Sequence, residues 1–194
     1  TTLQSIGISE TDFIRCCDAA FKQGSCFEDW LGESTDDRYL HPFTLPQDYH
    51  ERNAAADWLT RGEGLRFSDA VSAQGRLAPQ GLAPKSISTP EYAFYLNYGY
   101  HLNAGKFAAM LRAHCVEKLG VVHRPGEVRA VQSDEAGNIT DLRLADGALL
   151  HGDFFVDCSG SRSLLLGDHL GVAYRPCSKV LFNDSALAVQ VPYK

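Results

Sequence analysis

The sequence predicts a mixed α/β chain of α+β character, with a helical, loop-rich first half and a β-meander in the second. Asn103 stands before Phe107, Met110, Leu111, His114 and Cys115, which recur at helical spacing behind a good N-cap. Glu127 to Ser133, Ile139 to Leu144 and Ala148 to His151 are short β-type runs, separated by the turn residues 134–138 and by Asp146-Gly147. Phe154-Phe155-Val156 is an apolar run that ends in Cys158-Ser159-Gly160-Ser161-Arg162-Ser163 and restarts at Leu164-Leu165-Leu166. That is the pattern of a buried strand delivering a tight, glycine-containing turn into a short helix.

The remaining elements follow in chain order. Ser9 caps a helix with Glu10 and Asp12 in its first turn, and Phe13, Ile14, Cys17, Ala20 and Phe21 carry it towards a stop at Gln23-Gly24. The stretch 32–38 is polar and acidic, hence a loop, and Tyr39 to Pro46 is an irregular packed segment interrupted by proline. Pro46-Gln47-Asp48 opens a helix to Leu59 or Thr60, stopped by Gly62 and Gly64, and a short helix follows from Ser68 to Ala73. Gly75 to Pro90 shows no period and predicts a long, lid-like loop. Tyr92 to Tyr100 is rich in aromatics, and Val121-Val122-His123 begins a strand after Gly120 closes the helix. Residues 1–100 are expected to form a substrate-side segment. Residues 101–194 are expected to form half of a cofactor domain and the start of a further sheet.

Composition narrows the function classes. The net charge of −6 argues against a general nucleic-acid surface, as does the shortage of basic residues among the tyrosines. No apolar run approaches the roughly 20 residues of a membrane helix. The first residues lack a basic and then apolar leader, so no signal peptide is expected. The six cysteines show no CxxC pair, and Cys16 and Cys17 are adjacent, which predicts reduced thiols in a cytoplasmic protein. The seven histidines have no metal-binding spacing, so no metal site is expected.

The turn around Gly160 points to a cofactor. A glycine there lets backbone N–H groups approach a phosphate or ribose without a Cβ in the way. Helix, strand, three-stranded meander, strand and small-residue turn is the order found in the second half of flavoprotein cofactor domains. The GxGxxG fingerprint is absent from the sequence, and that part of the domain is expected before Thr1.

Three blocks resemble the flavin-dependent tryptophan halogenases. The first is Ala20-Phe21-Lys22, Phe27-Glu28-Asp29-Trp30 and Leu40-His41-Pro42-Phe43. The second runs from Tyr100-His101-Leu102-Asn103 to Leu111-Arg112. The third is Phe155-Val156-Asp157-Cys158-Ser159-Gly160 with Arg162, then Val180-Leu181-Phe182-Asn183-Asp184-Ser185-Ala186-Leu187-Ala188-Val189. The resemblance implies part of an FAD-binding monooxygenase-like fold and a reaction in which FADH2 and oxygen turn halide into hypohalous acid. A lysine then presents the oxidant to an electron-rich aromatic such as tryptophan or indole. It also implies a small aromatic substrate, a halide ion and a flavin reductase as partners; it leaves the oligomeric state open.

The family's lysine lies four residues before the tryptophan, and that position here is Cys26; Lys22 matches a second lysine of some members. Either Lys22 supplies the amine or the chain lacks it, in which case a non-halogenating flavoprotein monooxygenase or a catalytically inactive scaffold is the alternative. The fragment by itself is expected to be inactive. Cofactor-binding candidates are Val128, Gly160 and Arg162; Arg162 either contacts a phosphate or pairs with Asp157 or Asp168. Trp30, His41 and Phe43 are candidates for a substrate pocket, since aromatic walls suit an indole, with simple core packing as the alternative.

Overall fold

The computed structural model describes residues 1–29, 32, 37–62, 64–183 and 185–189. Trp30 and Asp184 lie outside the described residues. The chain divides into two compact units, Thr1–His123 and Arg124–Lys194.

The first unit opens with helices α1 (Thr2–Ser5) and α2 (Glu10–Cys16). Ser9 caps α2 as its sequence requires, its hydroxyl accepting from the Asp12 N–H. The helix ends at Cys16, earlier than its apolar spacing predicts. Asp18 adopts φ 48°, which turns the chain out of the helix and into strand β1 (Ala20–Lys22). β1 pairs with β4 (Gly99–His101), with Phe21 opposite Tyr100. A sheet partner some eighty residues away thus overrides a local helical period at Ala20 and Phe21.

The segment expected to be irregular contains a hairpin instead. β2 (Gly24–Glu28) pairs with β3 (Arg38–Pro42), Cys26 facing Leu40 and Phe27 facing Tyr39. Gly24 is required at its place, because a Cβ there would collide with the His41 carbonyl oxygen. After β3 the chain turns until Asn53, whose side chain caps α3 (Ala54–Arg61) by accepting from the Ala56 N–H. The helix therefore starts later than Pro46 suggests; Asp48 sits at φ 56°, which no continuous helix accommodates. Short helices α4 (Phe67–Val71) and α5 (Gln74–Leu77) follow, so the expected loop from Gly75 begins as helix.

Helix α6 (Ala104–Lys118) is capped by Asn103, as predicted. It packs Phe107, Met110 and Leu111 against the buried trio Ile8, Phe13 and Cys17. Phe13 is 1% exposed and meets Tyr100 and Phe107 edge-on, with centroids 4.8 and 5.5 Å away. Burying such a ring contributes about 2–3 kcal/mol. Val121 to His123 form no strand.

The second unit is built on the predicted meander, β5 (Val128–Ser133), β6 (Ile139–Leu144) and β7 (Leu149–His151), in the order β5-β6-β7. Asp134 shapes its first turn by accepting from the N–H groups of Ala136 and Asn138. The Phe154–Val156 run corrects the sequence expectation: it joins no strand among the described residues, and Phe154 and Val156 are 84% and 73% exposed. The glycine turn does lead into helix, as a 3-10 turn at Gly160–Arg162 followed by Leu164–His169.

Candidate functional site

The first unit brings the substrate-side candidates onto β1 and the β2–β3 hairpin. Lys22 ends β1, exposed, with its Nζ 5.7 Å from the centroid of the Phe43 ring, a cation–π distance. Phe43 is held there by its N–H, which donates to the Gln23 carbonyl at 3.0 Å. Gln23 is itself buried and donates from Nε2 to the Leu82 carbonyl at 2.7 Å.

Cys26 has ionic neighbours. Its Sγ accepts from Arg38 Nε at 3.2 Å, and Arg38 lies 3.6 Å from Glu28. The hydrogen bond to the sulfur, with Glu28 nearby, holds the Arg38 guanidinium above its ordinary range. By strand alternation Phe27, Tyr39 and His41 share the other face of the hairpin. There they form a ladder, Phe27 stacked on Tyr39 at 6.0 Å and Tyr39 on His41 at 6.5 Å. The hairpin thus sorts a thiol–guanidinium face from an aromatic face.

A second centre lies behind β1 and has no counterpart in the sequence reading. The Glu10 carboxylate is 3% exposed and accepts from Lys85 Nζ at 2.5 Å, Tyr98 and Tyr100 hydroxyls at 2.6 Å each, and the Tyr92 N–H at 2.8 Å. Burial alone would raise its pKa. The ammonium of Lys85 and the three other donors outweigh that and pull it down to about 2. Lys85 also donates to the Pro90 and Ala93 carbonyls, so the predicted lid-like loop is pinned at Lys85. Glu10 resembled an ordinary first-turn acid; the only sequence signals were a lone lysine in a polar loop and the tyrosines after it. Through Tyr100 on β4, which pairs with β1, the cluster braces the strand that carries Lys22.

In the second unit, Val128 and Arg162 border one cavity of about 260 Å³, together with Leu164 and Asp168. Arg162 pairs with Asp168, Nε to Oδ2 at 3.6 Å. Consecutive residues Val128 to Val131 line the cavity, as expected where a strand's edge borders a space. β5 pairs with β6 on one side and with no other strand among the described residues. Its free edge offers N–H and C=O groups to a neighbour.

The glycine turn is organised around Asp157. Asp157 accepts from the N–H groups of Ser159 and Leu165, at 3.0 and 2.8 Å, and Ser159 Oγ accepts from the Leu164 N–H at 2.8 Å. The Ser159 hydroxyl, with those N–H groups, holds the Asp157 carboxyl at a pKa of about 2. These N–H groups on either side of the turn are engaged by the Asp157 and Ser159 side chains. Gly160 sits at φ 68°, and a Cβ built on it meets no protein atom within 4 Å.

No helix among the described residues is long and apolar enough to cross a membrane, and no group of metal-binding side chains occurs among them. The family model for tryptophan halogenase matches residues 1–194. Tryptophan 7-halogenase RebH of Lentzea aerocolonigenes is 33% identical over 97% of this chain and 38% of its own length. Tryptophan 6-halogenase ThaL of Streptomyces albogriseolus is 32% identical over the same shares. Among solved structures, a tryptophan halogenase from Shewanella frigidimarina NCIMB 400 superposes with a TM-score of 0.89 at 48% identity, over 99% of this chain and 37% of that one. BrvH, a flavin-dependent halogenase from Brevundimonas sp. BAL3, gives 0.74 at 34% identity, over 90% and 36%. The chain therefore spans about 38% of the length of the curated relatives it matches.

Proposed function

Since the chain belongs to the tryptophan halogenase family, we propose that it supplies the amine, the aromatic wall and part of the flavin seat of an enzyme that halogenates an electron-rich aromatic. In this reading residues 1–100 serve the substrate side and 101–194 the flavin side, in the cytoplasm, with a halide ion and a flavin reductase as partners. FAD, once reduced, supplies with dioxygen the oxidising power that makes halide electrophilic. The chain's own residues then bind, orient and shield.

Lys22 is the amine in this account. The observation that carries it is the position of its Nζ over the Phe43 ring at 5.7 Å, which puts an N–H donor beside an aromatic wall. A hypohalous oxidant needs such a donor to hold and polarise it, and a neighbouring ring to keep water away. His41 and Phe43 are the aromatic walls for the substrate ring in this reading, and Trp30, the third candidate, lies outside the described residues. Cys26, at the family's usual lysine position, is bound to Arg38 and carries no amine. Val128 and Arg162, which border one cavity, would hold the flavin, with Gly160 leaving open space at the turn.

A non-halogenating monooxygenase is the second reading, and Cys26 favours it. The thiol is exposed, and hypohalous acid would oxidise it up the sulfenic ladder. Lys22→Ala and Cys26→Ala separate the two. In the halogenase reading, Lys22→Ala abolishes halogenated product while flavin oxidation continues, and Cys26→Ala keeps the product. Unchanged halogenation in Lys22→Ala would remove Lys22 from the mechanism.

A further inference from the structure

Gln74 is fully buried, a rare place for a glutamine. It opens α5, where its own N–H donates to the Ser72 hydroxyl at 3.2 Å. Taking a primary amide out of water is unfavourable unless its polar ends are bonded. Both ends of Gln74 are. Its Oε1 accepts from the Thr44 N–H at 2.9 Å, and its Nε2 donates to the Asn97 carbonyl at 2.7 Å. A carboxamide offers the donor and acceptor of a peptide unit, so Gln74 links two stretches of chain as a strand between them would.

Those two stretches carry the site. Thr44 follows Phe43, and Asn97 leads into β4. Asn97 closes the clamp from its own side. Its N–H donates to Thr44 Oγ1 at 2.8 Å, and its Nδ2 donates to the Phe43 carbonyl at 3.2 Å. On β4, Gly99 stands opposite Lys22 of β1. A Cβ built on Gly99 would lie 3.5 Å from Phe43 Cε2, so the Phe43 ring rests over the Lys22–Gly99 pair. The ring that meets the Lys22 ammonium at 5.7 Å is therefore held to β4 through Asn97, and Asn97 is held to Thr44 by a buried amide.

We propose that Gln74 is a positioning residue of this site: it holds the Phe43 wall against the Lys22 amine and so sets where the substrate ring stands relative to that amine. Being fully buried, it acts through Phe43 and touches no substrate. The inference rests on the reading above in taking Lys22 as the amine and Phe43 as the wall.

A double-mutant cycle tests it on the full polypeptide that carries this chain, given FAD, a flavin reductase, oxygen, bromide and tryptophan. Rates are taken below the melting range of every variant, so that lost folding does not count as lost positioning. Gln74→Met keeps the length of the side chain and removes both amide hydrogen bonds. Its kcat for bromination should fall by about tenfold while its KM for tryptophan stays within about threefold. In a Phe43→Leu background, which has no ring to aim, the same substitution should change kcat by less than about threefold. Asn97→Ala, at an exposed position, should repeat the pattern at smaller amplitude, and it decides the matter if Gln74→Met does not fold. Equal losses in the two backgrounds, or an unchanged kcat in the folded variants, overturn the proposal. Bromination that survives Lys22→Ala, or a parent enzyme that does not brominate, overturns the functional reading instead. A silent Lys22→Ala beside equal losses in the cycle overturns this inference alone.

Discussion

The Glu10 carboxylate and the Lys85 ammonium meet at 2.5 Å across 75 residues of sequence, both almost wholly removed from water. Breaking a buried pair leaves an uncompensated charge, whereas removing both partners does not. Glu10→Gln or Lys85→Met alone is expected to cost about 3–5 kcal/mol, and the double variant less than the sum. Urea unfolding of the four proteins measures it. Additive losses would mean that the pair does not act as a unit.

The same centre sets an acid limit. Its folded pKa of about 2 lies below the ordinary 4.5 of a glutamate. Glu10 therefore adds stability that is fully present above pH 4.5 and is lost as the pH falls towards 2. On the alkaline side, burial and the nearby Glu10 charge push Tyr92 up to about 12 and Tyr100 higher still. Their contribution is fully present below the ordinary tyrosine value of about 10 and is lost as the pH rises from there through the folded values. Melting temperature against pH should fall at both ends, and Glu10→Gln should flatten the acid end. An acid limb unchanged in that variant would assign the loss to other carboxylates.

At Gly160 the backbone and the ligand can be separated. Alanine at φ 68° costs about 1–2 kcal/mol of backbone strain, with no protein atom for its methyl to strike. Stability of Gly160→Ala should drop by that amount and no more. If the flavin approaches this turn, FAD fluorescence quenching by the protein should weaken well beyond that small loss. Affinity unchanged within error would place the flavin elsewhere.

Arg162 makes the complementary case. Its partner Asp168 is exposed, and such surface pairs contribute about 0–1 kcal/mol. Arg162→Ala should leave urea unfolding almost unmoved while weakening FAD binding. A large stability loss with normal flavin affinity would make Arg162 structural.

Legibility in the sequence followed the range of the forces. The Asn103 cap, α6 and the meander are local, set by one side chain bonding a nearby N–H or by a tight turn, and each stood where its pattern put it. Ala20 and Phe21 misled because their helical spacing says nothing of Tyr100 across the sheet. Phe154 to Val156 has strand composition without a partner strand among the described residues, and composition cannot supply one. The candidate site was readable by residue type, Lys22, His41 and Phe43 included, through the family resemblance. Its bracing was not: nothing near Glu10 in sequence announces Lys85, Tyr98 or Tyr100. The Gly160 turn was found, but its N–H groups bind Asp157, an acceptor that lay in plain view three residues before the glycine.

The most direct test is mass spectrometry of the product from the full polypeptide that carries this chain, given FAD, a flavin reductase, oxygen, bromide and tryptophan. The account predicts a monobrominated product with the paired bromine isotope pattern, lost in Lys22→Ala while reduced flavin is still consumed. An oxygenated product without bromine, or bromination that survives Lys22→Ala, would contradict it.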